Sequence, residues 1–361
     1  MITTEKGEQI STNLNMYVQQ QMLELYMGAL RAMRVLPSMQ EVDNKFTPHD
    51  IVYEDGSVKL LHYRATAKRL HPTPLLIVYA LVNRHYILDV ENRSVIRNLL
   101  NQGFDIYLID WGTPAKNGRM LTIDDYVNGY MDRCVDVVRK LSGIDKISLF
   151  GYCMGGTFSA IYAAVHTEKV RNLITLAPAI DCSKDTTVFG SLARFLDIDN
   201  FVDTMGNVPP AFQYLFFLML KPFKHYVEKY NELAERIEDD VFVENFVKLE
   251  KWLWDTPPIP GEVFRQWVKD FYQGNLLFQN RFKVGEEIVD LRKIDIPLLN
   301  IIAESDHLVS PESSKALNYV VSSKDKTLML FPTGHIGLCA SAYSQNNVWP
   351  KVGEWLMERS S

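Results

Sequence analysis

Residues 146–157 read Lys-Ile-Ser-Leu-Phe-Gly-Tyr-Cys-Met-Gly-Gly-Thr, and no other stretch restricts the fold so tightly. An apolar run short enough to be a buried strand passes through Gly151-Tyr152-Cys153-Met154-Gly155 into an Ala-rich helical pattern. A strand that turns into a helix over so few residues brings two backbones almost into contact, which glycine permits and larger residues resist. Gly151 and Gly155 bracket Cys153, and Gly156 relaxes the crossing further. Such a turn lifts Cys153 above the end of a sheet, at a helix N-terminus whose dipole favours a thiolate. The pattern is a Gly-x-nucleophile-x-Gly elbow with Cys in the place of Ser. The Met154 N–H would point into the same space as one oxyanion donor. A dinucleotide phosphate loop is a poor match, because position 153 is Cys and GxGxxG is absent. A buried structural Cys beside a glycine-rich turn is the competing reading, and the rest of the chain decides between them.

A strand–helix alternation surrounds the elbow. Residues 51–63 look like a hairpin turning at Asp55-Gly56. Strands are expected at 75–80, 105–111, 146–150 and 172–177, with helices at 92–101, 124–141 and 155–166 between or after them. After a long interruption the rhythm resumes with strands at 297–303 and 327–331, a helix at 311–321 and a final helix ending near 357. This alternation predicts a mostly parallel sheet with helices on both faces and an inserted, mostly helical cap, and together with the nucleophile elbow it gives the expectation of an α/β-hydrolase fold. The expected division is a helical segment at 1–50, a core formed by 51–180 and 295–361, and the cap at 181–294. Within 1–50, Val18, Met22, Leu25, Ala29 and Met33 fall three or four apart and predict an amphipathic helix over 14–33. The cap holds an aromatic cluster at 212–223, an acidic helix at 232–240 and a Trp/Pro-rich stretch at 252–267.

In a hydrolase-type sheet the order along the chain is nucleophile, acid, histidine. Asp306 follows the predicted strand 297–303, and His335 follows the last predicted strand. Alone, the first reads as a turn cap and the second as a loop histidine. Both at strand ends, in that order after the elbow, point to a Cys153–Asp306–His335 triad. Glu304 is the substitute acid. His307 would point away, while His49, His85 and His166 lack a partner motif. Leu81, Val82 and Asn83, in the loop after the first parallel strand, are the candidates for a second oxyanion amide. Cys182 and Cys339 lack any elbow and read as packing residues.

Composition removes other classes of function. With 38 Lys and Arg against 44 Asp and Glu, the net charge of −6 argues against a phosphate-backbone binder. Four scattered cysteines without CxxC spacing imply neither a zinc site nor a disulfide framework, and no cofactor or metal is expected. The polar first fifteen or so residues lack a secretory core, and no apolar run reaches the roughly 18 residues of a spanning helix. The residues alone therefore indicate acyl transfer at a Cys-His-Asp site, by either a transferase or a Cys-nucleophile hydrolase such as a thioesterase, esterase or polyester depolymerase.

From about Pro74 onward, these motifs resemble the polyhydroxyalkanoate synthases. The family's Gly-x-Cys-x-Gly-Gly box is similar to Gly151–Gly156, and its Tyr-Ile-Leu-Asp to Tyr86–Asp89. Its Ser-Asp-His-(Ile/Leu)-Val loop is similar to 305–309, its Gly-His-Ile to 334–336, and its Trp-x-x-Asp-(x)-Pro region to Trp252–Gly261. The short region ahead of the first core strand resembles a class III or IV catalytic subunit. The resemblance implies polymerisation of (R)-3-hydroxyacyl-CoA into polyester with release of CoA, through a covalent thioester on Cys153. It also implies Val82 as the second oxyanion donor, a homodimer with a second synthase subunit, and a cytoplasmic location at the surface of polyester granules.

Overall fold

The computed structural model describes residues 47–65, 68–69, 71–220 and 229–360. The helix expected over 14–33 lies outside them. By contacts the chain divides into two compact units. One comprises Lys45–Gln213 with Asp255–Ser361, and the other includes Tyr214–Trp254.

The first unit is built on eight strands: β1 His49–Asp55, β2 Val58–Tyr63, β3 Leu75–Val78, β4 Ile106–Asp110, β5 Ile147–Tyr152, β6 Val170–Leu176, β7 Leu298–Ala303 and β8 Lys326–Phe331. Their spatial order is β1-β2-β4-β3-β5-β6-β7-β8. β2 runs antiparallel to both of its neighbours, and every other pairing is parallel. Successive side chains on a strand face opposite sides. Every residue of β3, β5 and β7 is buried, so both faces of the central sheet are covered. The edge strands β1 and β8 are the exceptions, half-exposed or exposed along most of their length. The buried amide of β7 is satisfied: Asn300 accepts from Thr175 Oγ1 of β6 (2.9 Å) and donates to Asn318 Oδ1 (2.7 Å) and to Ser314 O.

Local chemistry accounts for where the expected elements shift. The hairpin turns at Gly56-Ser57, since Asp55 still pairs with Val58 and Gly56 takes the positive φ of 61°. Helix α1 begins at Val95, three residues late. Asn92 is left-handed (φ 63°) in the turn of a small ladder pairing 89–90 with 93–94, and Ser94 caps the helix through Arg97 N. The helix expected over 124–141 is a π-type turn at Asp125–Met131 running into α2, Asp132–Ser142, which stops at left-handed Gly143. Helix α3, Met154–Val165, follows β5 without a connecting loop. Helix α4, Pro311–Val320, opens with Pro311 at its first turn and Ser310 as cap. The expected final helix is three pieces, Gly337–Ala340, Ala342–Asn347 and α5, Trp349–Met357. Ser341 caps the second piece, and a Pro in the first turn starts the last. Trp349 of α5 is fully buried, edge-on to Phe150 of β5.

Between β6 and β7 the chain is mostly helical. The elements within the sheet unit include Val188–Ala193, Ile198–Met205, and Gly261–Gln266 running into a π-type turn, Trp267–Gln273. In the second unit, Lys229–Glu235 and Asp240–Trp254 are separate helices. The acidic helix expected over 232–240 breaks because the Asp239 carboxylate accepts from Phe242 N and starts a new helix. Leu233, Phe246 and Val247 form this unit's small core.

Candidate active site

Cys153 occupies the crossing between β5 and α3, with φ 57° and ψ −123°. A non-glycine residue held there stores on the order of 1–3 kcal/mol, and the surroundings must over-determine it. They do. Its N–H donates to Leu176 O of β6 at 2.8 Å, and its carbonyl accepts from Gly156 N (2.9 Å) and Thr157 N (3.2 Å). The flanking glycines are dictated by contact. A Cβ on Gly151 would collide with the Gly155 carbonyl and the Ser159 hydroxyl, and one on Gly155 with the carbonyls of Val78 and Tyr79. Cys153 is partly exposed, whereas Cys134, Cys182 and Cys339 are buried. Burial pushes the thiols of those three up, Cys134 to about 12. They lack the access and the acidity that a nucleophile needs.

Both other residues expected at the site converge on this one. β7 and β8 pair in parallel up to Ala303 and Phe331, so the turns that follow leave the sheet side by side. Asp306 and His335 sit in those turns, with Asp306 Oδ2 and His335 Nδ1 2.6 Å apart. The other carboxylate oxygen accepts from Leu308 N (2.8 Å) and Val309 N (3.0 Å). The bond to Asp306 fixes Nδ1 as the protonated nitrogen of the neutral ring and leaves Nε2 as the acceptor. Cys153 lies close enough to His335 for its charge to favour the imidazolium. Burial works against the imidazolium, but the nearby charges of Asp306 and Cys153 and the Asp306 hydrogen bond outweigh it and hold His335 up to about 10. A ring of that proton affinity is a strong acceptor for a thiol proton.

The substitute acid Glu304 is exposed, and so is His307. His49 bonds locally to Thr47 O, and His166 meets Asn128 Oδ1, 38 residues away in the chain. His85 departs from expectation: its Nδ1 lies 3.4 Å from Asp110 Oδ1. The two meet only because β4 and β3 are neighbours, so their 25-residue separation gave no signal. Tyr152 also went unnoticed in the sequence. Its ring stacks on His335 (centroids 5.1 Å apart), and its hydroxyl donates to His335 O at 3.2 Å. Its place beside Cys153 in the motif was the available clue.

For the oxyanion, Met154 N–H is the first amide of α3 and has no helical acceptor four residues back. The loop after β3 starts beside the elbow, since Val78 pairs with Gly151. Of its three candidate amides, Asn83 N–H is already engaged with Thr256 Oγ1 at 3.1 Å. Val82 is half-buried, between buried Leu81 and Asn83. Asp89 of the Tyr-Ile-Leu-Asp stretch is structural: its buried carboxylate accepts from Thr47 N, Thr47 Oγ1 and Ser94 Oγ. No cluster of three or more metal-ligating side chains occurs among the described residues.

Residues 73–339 match the alpha/beta hydrolase fold family, and residues 6–99 match the family described as the N-terminus of poly-beta-hydroxybutyrate polymerase. Over 343 residues the chain is 44% identical to the poly(3-hydroxyalkanoate) polymerase subunit PhaC of Allochromatium vinosum, covering 94% of this chain and 97% of that one. The chain belongs to the poly(3-hydroxyalkanoate) polymerase family. As a poly(3-hydroxyalkanoate) polymerase it is an acyltransferase. The polymerase subunit PhaC of Synechocystis is 39% identical over 359 residues, 97% of this chain and 95% of its own. Among solved structures, a soluble variant of monoglyceride lipase from Saccharomyces cerevisiae aligns with a TM-score of 0.56 at 15% identity, over 89% of this polymerase and 98% of the lipase. At that identity the likeness speaks for the fold alone. Among the described residues, no helix of the polymerase is long and apolar enough to cross a membrane.

Proposed function

We propose that the chain polymerises (R)-3-hydroxyacyl-CoA with Cys153 as the acyl carrier, His335 as its base, and Asp306 acting through His335. The observation that carries this reading is the partly exposed Cys153 at the elbow beside a buried, hydrogen-bonded His335–Asp306 pair. The Cys153 thiolate attacks the CoA thioester carbonyl, and Met154 N–H and Val82 N–H receive the oxyanion. The tetrahedral adduct then expels the CoA thiolate, which takes the proton held on His335. Thioester exchanges for thioester, so this first step costs little. For chain growth, a 3-hydroxyl gives its proton to His335 and attacks an acyl thioester, forming an ester and releasing a thiolate.

Segment 181–294 acts in this proposal as a cap that keeps water from the thioester, whose hydrolysis would end the chain. One contact within the sheet unit supports it: Trp267 packs edge-on to Phe158 of α3, the helix that begins at the elbow. The Allochromatium and Synechocystis relatives are described as polymerase subunits. We extend that to this chain as a homodimer working with a second subunit at a cytoplasmic polyester granule surface.

The test is to supply (R)-3-hydroxybutyryl-CoA and follow CoA release and product. Insoluble polymer with the acyl group on Cys153 is expected, and Cys153→Ala should abolish both CoA release and labelling. Free hydroxy acid without polymer would instead make the chain a hydrolase. Acyl groups on Cys182 or Cys339 would overturn the site.

A further inference from the structure

The loop that carries Val82 is fastened at its two ends to the end of β4. Trp111 Nε1 donates to Tyr79 O at 2.8 Å, and the Arg84 guanidinium donates to Gly112 O at 2.9 Å and to Thr113 Oγ1 at 2.8 Å. The middle of the loop is held differently. Asn83 is left-handed, with φ 58°, a conformation that Asn tolerates better than other side-chain-bearing residues. Its buried Oδ1 has no hydrogen-bond partner. The side chain thus earns no polar contact through its oxygen, and what this position supplies is backbone geometry. Its N–H donates to Thr256 Oγ1 at 3.1 Å. Among the described residues no other hydrogen bond holds the backbone of Leu81, Val82 or Asn83.

Thr256 is itself fixed. It is buried, and its hydroxyl donates to Gln213 Oε1 at 3.1 Å, while Gln213 Nε2 donates to Pro257 O at 2.8 Å. With its proton committed to Gln213, Oγ1 can only accept from Asn83. The neighbouring Asp255 accepts from Arg84 Nε and Tyr86 Oη of the same loop. Holding Asn83 N–H orients the peptide plane between Val82 and Asn83, one residue beyond the Val82 amide. It therefore restricts the directions in which Val82 N–H can point.

We propose that Thr256 is a positioning residue for the second oxyanion donor, its hydroxyl holding the loop so that Val82 N–H faces the acyl carbonyl on Cys153. This rests on the role given to Cys153 and Val82 above. Thr256 touches no reacting atom and acts through the loop. It distinguishes two reactions of the same thiol. Acylation passes through a tetrahedral oxyanion, whereas alkylation by iodoacetamide forms a C–S bond at an sp³ carbon, expels iodide and develops no oxyanion.

The experiment uses the full chain and compares Thr256→Val, which keeps the shape but removes the acceptor, with Thr256→Ser, which keeps the acceptor. Single-turnover CoA release from (R)-3-hydroxybutyryl-CoA and the rate of Cys153 alkylation are measured for each. In Thr256→Val, acylation is expected to fall ~30-fold or more, in line with loss of an oxyanion donor, with KM and alkylation unchanged; Thr256→Ser restores most of the loss. If Thr256→Val does not fold, Thr256→Ala carries the same expectation. Wild-type acylation in Thr256→Val overturns the proposal, as does a parallel fall in acylation and alkylation. Cys153→Ala in the same assay separates the two levels. If it still releases CoA, the reading of the site fails and this inference with it. If it is inactive while Thr256→Val is unimpaired, only the inference fails.

Discussion

Asp306 has no exposed side-chain surface, and both of its oxygens are engaged, one by His335 and the other by two backbone amides. In the proposed mechanism a carboxylate so occupied would serve a substrate hydroxyl through the imidazole rather than by taking the proton itself. The two chemical steps still differ in what they ask of His335. A thiol with reference pKa about 8.5 needs little help, whereas an alcohol depends heavily on the strength of its base. Asp306→Asn is therefore expected to slow elongation ~100-fold or more while the first CoA release falls less; single-turnover CoA release set against product length measures the split, and an equal loss in both steps contradicts it. The same substitution removes the leading support of the imidazolium, so His335 should titrate lower than in the wild type, as NMR of the ring would report. Linkage fixes the sign for stability. The folded-state value of about 10 exceeds the ordinary 6.5, so the protonated pair stabilises the fold fully below about 6.5 and progressively less as pH rises toward about 10. The Tm gap between wild type and His335→Gln should narrow from about pH 7 to about pH 10. A widening gap over that window would refute the assignment.

At the scale of elements, the β5–α3 crossing leaves no room for a side chain, and it also touches β3. A methyl group on Gly155 would press on the Val78 carbonyl and lie 2.8 Å from Tyr79 O. Neither is the far end of a flexible side chain, so β3 or α3 must shift. Gly155→Ala is expected to cost about 1–3 kcal/mol, as overpacking generally does, read from urea unfolding. It should also slow acylation, because it spreads the elbow away from the loop bearing Val82. Unaltered stability would mean that the crossing is looser than these contacts require. Elsewhere the elements depart from a simple periodic reading where a polar residue intervenes. Asn92 delays α1, Ser341 and Asp239 each begin a new helix, and Asn300 is accommodated in a buried strand because Thr175 and Asn318 meet its amide.

On the scale of the molecule, the chain leaves the sheet unit after Gln213 and re-enters it at Asp255. The two ends of that excursion are joined within the sheet unit through Gln213, Thr256 and Pro257, so a short linker can close the gap at small entropic cost. Starting the chain at Lys45 and bridging Gln213 to Asp255 with a few Gly and Ser residues should leave a cooperatively folded unit whose Cys153 still reacts with iodoacetamide. Thermal unfolding and alkylation kinetics check both points. Loss of cooperative unfolding would show that the sheet unit depends on the segments removed.

The parallel strands, their order along the chain and the Cys153, Asp306 and His335 positions were all legible in the sequence because each is written locally. Unbroken apolar runs mark strands buried on both faces, and Gly151 and Gly155 mark a crossing that tolerates no side chain. The order of nucleophile, acid and histidine needs only strand ends to be recognised. What the sequence could not contain is adjacency between residues far apart in the chain. The 2.6 Å contact of His335 with Asp306 follows from the parallel register of β7 and β8. His85 beside Asp110 follows from β4 lying next to β3, and Thr256 under Asn83 follows from where the chain returns after 254. Strand pairing and chain return bring these groups together at separations of 25 to 173 residues, and no local pattern of apolar spacing, turn residues or caps encodes a distance of that kind.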